Sequence, residues 1–169
     1  MKSTLKYLFI IVVLVLVSSC SKDDVNEHAI VGKWKLTTWT VNIPFDLNHD
    51  MVLSTNLLNE IDCANNEILE FNAKDVVASD DTFNPKVDIA LLNGTTDRYT
   101  VTTECAEGII GFSKSYTVLN DTKVLINNAI ATINGNQLTI VYDHAVSIYN
   151  QDFSQVIATK NLTKIYTKL

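Results

Sequence analysis

Residues 129–142 read AIATINGNQLTIVY. Two runs rich in β-branched and apolar residues flank Asn134-Gly135, the dipeptide that most readily supplies the positive φ angles of a two-residue hairpin turn. The stretch predicts two antiparallel strands, over 129–133 and 137–142. The alternation then continues. Leu138, Ile140, Tyr142, His144, Val146 and Ile148 fall on even positions and share one face of a strand.

Outward from this hairpin the same pattern repeats. Tyr116 and Val118 precede an Asn120-Asp121 turn, and Val124 and Ile126 follow it. Tyr99, Val101, Thr103 and Cys105 alternate along one strand, and a strand over 87–92 ends at Asn93-Gly94. Leu69 and Phe71 alternate over 67–73, where Asn72-Ala73-Lys74-Asp75 makes a turn. The last strand covers about 157–169.

The first strand is long, IVGKWKLTTWTV over 30–41. Ile30, Trp34 and Leu36 share one phase, whereas Trp39 and Val41 take the other, so a bulge or sharp bend is expected at Thr37-Thr38. Residues 42–66 are the least regular. Met51, Leu53, Leu57, Leu58 and Ile61 lie near helical spacing and predict a short helix over 53–61.

Eight to ten strands in an almost unbroken meander cannot stay open without exposing edges; such a sheet closes into a barrel or folds into a sandwich. The expected fold is therefore all-β, an antiparallel meander closed into a barrel, with one short helix after the first strand. A ring of about eight strands either fills with its own side chains or holds one small ligand. The sequence leaves both open, with a filled interior slightly favoured.

The N-terminus carries Lys2 and Lys6, no acid, and an unbroken apolar run over 8–17. That run is too short to span a bilayer, which takes roughly 20 residues, and has the form of a secretory signal. It ends VLVSSCSKDD over 15–24. Val17-Ser18-Ser19-Cys20 resembles the lipobox of bacterial lipoproteins. The resemblance implies cleavage before Cys20 and acyl chains, of the palmitate class, on that cysteine. The plainer reading is an ordinary signal peptide that precedes a cysteine. Two or more chains hold a protein firmly at a membrane, whereas one is marginal. Ser21-Lys22-Asp23-Asp24 is similar to the export signal of Bacteroidota-type surface lipoproteins, which implies display on the outer face of the outer membrane; otherwise it is a solvated linker. The expected organisation is a signal peptide over 1–19, a lipidated tether over 20–29 and one barrel domain over 30–169.

Without residues 1–19 the chain has 150 residues, enough for one domain with a real core. It then carries eleven basic and nineteen acidic residues, a net charge of −8. With no basic cluster, this speaks against nucleic acid and anionic lipid as partners. Cys63 and Cys105 form an even pair in an exported chain, so a disulfide is expected; two free thiols are the alternative. A monomer is expected.

Gly32-Lys33-Trp34 at the start of the first strand is similar to the G-x-W opening of lipocalins. With the lipoprotein start, the Asp/Asn-rich insert and the cysteine before the second strand, the chain resembles the lipocalin-like domain lipoproteins of Bacteroidota. That resemblance implies a ligand-holding barrel and matches Gly32 and Trp34 only. In lipocalins the tryptophan packs under an arginine at the end of the barrel. Here the last strand has Lys160, Lys164 and Lys168, and the only arginine is Arg98. The candidate ligand-lining residues are Trp34, Leu138, Ile140, Tyr142 and His144.

Asp46, Asn48 and Asp50 occupy positions 1, 3 and 5 of an EF-hand-like calcium loop, where alternate spacing lets side-chain oxygens converge on a hard cation. The Val52 carbonyl and Ser54 or Asn56 can complete the set. Met51, however, replaces the turn glycine, and Leu57 stands in place of the bidentate acid. The alternative is an Asx-rich loop capping the helix. Catalytic signatures are weak. Asp143 and His144 point to opposite faces of a strand, unlike a triad. Gly111-Phe112-Ser113-Lys114-Ser115 lacks the second glycine of a nucleophile elbow. His28, His49 and His144 lack zinc spacing. The sequence points to a non-enzymatic surface protein that binds a small apolar ligand, with an adhesin-like interaction module or an enzyme of unrecognised site as alternatives.

Overall fold

The computed structural model describes residues 28–169, so Cys20 and the whole lipobox lie outside the described residues. Ten strands follow one another: β1 (Gly32–Thr40), β2 (Ile68–Phe71), β3 (Val76–Ser79), β4 (Lys86–Leu91), β5 (Tyr99–Glu104), β6 (Phe112–Asn120), β7 (Lys123–Ile126), β8 (Ala129–Asn134), β9 (Gln137–Tyr149) and β10 (Val156–Lys168). Eight of them close a ring in the order β1-β2-β3-β6-β7-β8-β9-β10, with β10 returning antiparallel to β1. The expected all-β closed barrel is present. β4 and β5 stand outside the ring as a hairpin, attached to the far end of β9 through a short parallel pairing, Ile89↔Ile148 and Ala90↔Tyr149.

The turn chemistry is local and visible. Asn134↔Gln137 is the last pair of the β8–β9 hairpin, so its two-residue turn is Gly135-Asn136, with Gly135 at φ 56°, one residue on from the expected Asn134-Gly135. The Asn72 Oδ1 accepts from the amides of Lys74 and Val76 and fixes the β2–β3 turn. The register of β1 against β10 shifts between Leu36 and Thr38. That bulge lets Trp34 and Leu36 on one side of it, and Trp39 and Val41 on the other, all become buried.

Trp34 is fully buried and donates from Nε1 to the Ile30 carbonyl at 2.7 Å. The Lys168 ammonium lies 5.3 Å from its ring centroid and donates to the Ala29 carbonyl at 2.9 Å. A lysine of the last strand thus caps the tryptophan by a cation–π contact. Gly32 has φ 125°, and a Cβ there would sit 3.3 Å from Lys168 Cε, which explains the glycine two residues before the tryptophan. Phe71, Tyr116, Leu138, Ile140 and Tyr166 fill the ring behind it, and Phe71 meets Tyr116 edge-on at 5.2 Å.

The predicted helix over 53–61 does not form. Only a 3-10 turn, Leu57–Asn59, is present. Asn56 accounts for this: its Oδ1 accepts from the amides of Trp39 and Leu58, and its Nδ2 donates to the Thr37 carbonyl. These contacts pin the chain flat against β1 before a helical turn can propagate. The apolar spacing is real, but it serves packing onto the barrel: Leu57 and Ile61 join Ile43 and Phe45 in the core.

Cys63 and Cys105 form a disulfide that ties the β1–β2 connection to the end of β5. Closing a loop of this length restricts the unfolded chain by roughly 3–4 kcal/mol. Replacing both cysteines by serine is expected to lower the melting temperature by roughly 10 °C, read by near-ultraviolet circular dichroism. An unchanged melting temperature would show that the bond contributes nothing.

Candidate functional site

The strands differ in length, and this creates the main surface feature. The β7–β8 hairpin stops early, at Asn127-Asn128, where Asn127 takes φ 54°. β8 pairs with β9 only from Ala131↔Ile140 to Asn134↔Gln137, and β4 joins the same edge of β9 at Ile148. Residues 141–147 therefore have no strand partner on that edge among the described residues. A notch of about 570 Å³ opens there in the barrel wall, lined by Phe112 and Lys114 of β6, Ile126, Ala129, and Val141, Tyr142 and Ala145 of β9. Val141 and Tyr142 are partly exposed, and the Lys114 ammonium lies 6.0 Å over the Phe112 ring.

Beneath the notch lies a buried polar cluster. Glu67 is 1% exposed. Its Oε2 accepts from Lys164 Nζ and from the Phe83 amide, each at 2.9 Å, and its Oε1 accepts from the Tyr166 hydroxyl at 2.6 Å. A carboxylate with three donors is the form in which a buried charge is tolerated. Burial and then the Glu67 charge push the Tyr166 hydroxyl well above the usual tyrosine value, and the same two causes raise Tyr142. Both phenols stay protonated at neutral pH, and that of Tyr166 donates to Glu67. The notch thus joins an apolar wall to a protonated hydroxyl, with Lys114 and Asp143 at its margins. Its size lies within the range of small-molecule sites.

The residues predicted to line a ligand cavity separate into groups. Trp34, Leu138 and Ile140 are buried packing inside the ring. Tyr142 reaches the notch. His144 does not line it; it sits at φ 54°, next to a register shift between β9 and β10, with Nδ1 2.7 Å from the Thr159 hydroxyl. Asp143 accepts from Asn161 rather than facing His144.

In the loop over 45–54, paired backbone bonds between Phe45 and Ser54 close the base. Asn48 Oδ1 accepts from the Asp50 amide and Asp50 Oδ1 from the Val52 amide, while Asn48 Nδ2 bonds to Asp50 Oδ2 and the Asn59 carbonyl. Met51 adopts φ 67°, the left-handed turn for which a calcium loop uses glycine. Asp46 Oδ1 is buried without a hydrogen-bond partner. Among the described residues no group of three or more His, Cys, Asp or Glu side chains is placed around one point.

The sequence reading missed Glu67, Lys164 and Tyr166. A signal existed: Glu67 continues the inward phase of Leu69 and Phe71, and Lys164 that of Tyr166. Charges of opposite sign at inward positions of strands on either side of β1 mark an interior ion pair. Phe112, Lys114, Ile126 and Ala129 carry no such signal, because the notch depends on where neighbouring strands end. Compared with known proteins, the chain matches no family model and no curated protein.

Removing Glu67 strands the Lys164 ammonium, whose side chain is 13% exposed. Glu67→Ala is expected to cost about 3–5 kcal/mol. The Glu67→Gln, Lys164→Met double variant should cost clearly less than the sum of its singles. Urea denaturation of all three checks this; strict additivity would show that the pair does not interact.

Proposed function

We propose that this protein is a lipid-anchored lipoprotein of the outer membrane, displayed at the cell surface, whose barrel binds a small, largely apolar molecule in the notch rather than in its interior. The reading is non-enzymatic. The observation that carries it is the 570 Å³ gap in the wall of the ring, with apolar side chains and Tyr142 in its lining. An apolar body packs on Phe112, Ile126 and Ala129, and a polar end meets Tyr142. The anchor rests on the sequence over 15–24, with Cys20 as the attachment. Its placement suits the fold: β1 starts at the end of the ring that holds the chain's C-terminus, so a tether before His28 leaves from there. The intact mass of full-length protein purified from its own envelope under native conditions tests both parts. The expected mass lacks residues 1–19, includes acyl chains, and shows a bound small molecule that is lost in Ala145→Trp, which fills the notch. An unacylated N-terminus refutes the anchor, and retention by the tryptophan variant refutes the site.

A structural calcium ion in the loop over 45–54 is a second proposal, favoured by the unpartnered Asp46 oxygen and the left-handed Met51. Asp46, Asn48, Asp50, the Val52 carbonyl and Ser54 would hold it, in the affinity range of weak extracellular sites. At a concentration several times such a dissociation constant the gain is about 1 kcal/mol, a melting shift of roughly 2–4 °C. Five millimolar calcium should produce that shift in the native chain and not in Asp46→Asn; no shift disposes of the site.

A further inference from the structure

β9 and β10 pair well beyond the stretch that β10 shares with β1, and their connecting loop lies at the opposite end of that hairpin from the start of β1. Twelve residue steps of strand separate the Thr167↔Gln137 pair from the Tyr149 end, roughly 40 Å at ~3.3 Å per residue. The loop is rigidly built. The Asn150 amide donates to the Gln155 carbonyl, the Gln155 amide donates to Asn150 Oδ1, and Asp152 Oδ1 accepts from both the amide and the hydroxyl of Ser154. The Asn93 amide donates to Gln151 Oε1 and locks the loop to the β4–β5 turn.

This scaffold holds Phe153 at φ 58° and 37% exposed. A bulky residue in that region is a true outlier, and such outliers persist where surrounding structure enforces them, often at binding sites. Its ring lies 6.0 Å from that of Tyr149, tilted by 41°. A recess of about 390 Å³ beside the rings is shared with Asp88 of β4 and Thr102 of β5. A second, of about 290 Å³, lies across the loop against Gln151 and Asp152. One oxygen of Asp152 and one of Gln151 are used by the fold; the second polar atom of each is unbonded among the described residues.

We infer that this tip binds neutral carbohydrate, with Tyr149 and Phe153 as a stacking platform and Asp88, Thr102, Gln151 and Asp152 as hydroxyl partners. A pyranose has an apolar C–H face, which packs on aromatic rings, and an edge of vicinal hydroxyls, which bond to carboxylates and amides. A purely apolar partner would cover the remaining oxygen of each carboxylate and offer it no hydrogen bond. Acidic glycans and nucleic acid meet two carboxylates, Asp88 and Asp152; of the cations on this hairpin, Lys86 is paired to Asp88 at 3.3 Å, and Arg98 follows Asp97 on the β4–β5 turn. The polar groups come from two hairpins fixed to one another, so the site is organised before the sugar arrives.

The test is a printed glycan array probed with the full chain in detergent micelles, followed by titration of the best-bound neutral oligosaccharide. Wild type should bind neutral glycans and ignore sulfated and sialylated ones. Phe153→Ala should weaken binding at least tenfold. Phe153→Asn removes the ring but tolerates the left-handed backbone, so it should keep the wild-type melting temperature and still lose binding. Ala145→Trp should bind normally, which separates this site from the notch. A wild type that binds no glycan, or only acidic ones, overturns the inference, as does a Phe153→Asn variant that binds unchanged.

Discussion

A ring of eight antiparallel strands has room for its own side chains or for one small ligand, and in this molecule large side chains enter it. Trp34, Phe71, Tyr116 and Tyr166 supply four large aromatic groups to one interior. β7 and β8 are short, β9 is long, and the difference is left as an opening in the wall.

The same crowding explains the buried charges. The Glu67 carboxylate and the Lys164 ammonium would each be costly alone, but the Tyr166 hydroxyl and the Phe83 amide complete the carboxylate's coordination. Phe83 lies on the connection between β3 and β4 and also meets Trp39 edge-on at 6.4 Å. One residue therefore joins the outer connection, the second phase of β1 and the interior cluster. Burial, and then the same carboxylate, raise the Tyr142 phenol above its usual value, which links that residue to the cluster.

Much of the fold was legible in the chain because it is locally encoded. Gly135 marks its hairpin by backbone preference alone, although the turn is Gly135-Asn136 rather than Asn134-Gly135, and the phase change across Thr37-Thr38 foretells the bulge. The Cys63–Cys105 pairing followed from count and compartment. The helix over 53–61 was misread because apolar spacing does not distinguish a helix from a chain pinned to a neighbouring strand, and the Asn56 contacts that decide it are to residues 17 and 19 positions away. The notch was illegible for a related reason. It arises from the relative lengths and registers of β6, β7, β8 and β9, which no single strand displays. Leu138 and Ile140 have the right alternation for a cavity wall, but whether such residues line a space or fill it depends on the bulk opposite them.

The long β9–β10 hairpin also has a mechanical meaning. It runs from the end where β1 begins to the tip that carries Tyr149 and Phe153. Tension between a tether at β1 and a partner held at the tip acts nearly along the strands. The ladder between β1 and β10, from Trp34↔Lys168 to Thr40↔Thr163, is then loaded in shear, with its hydrogen bonds sharing the force rather than breaking one after another. Under a load applied in that direction, this alignment would itself give resistance to rupture, quite apart from equilibrium stability.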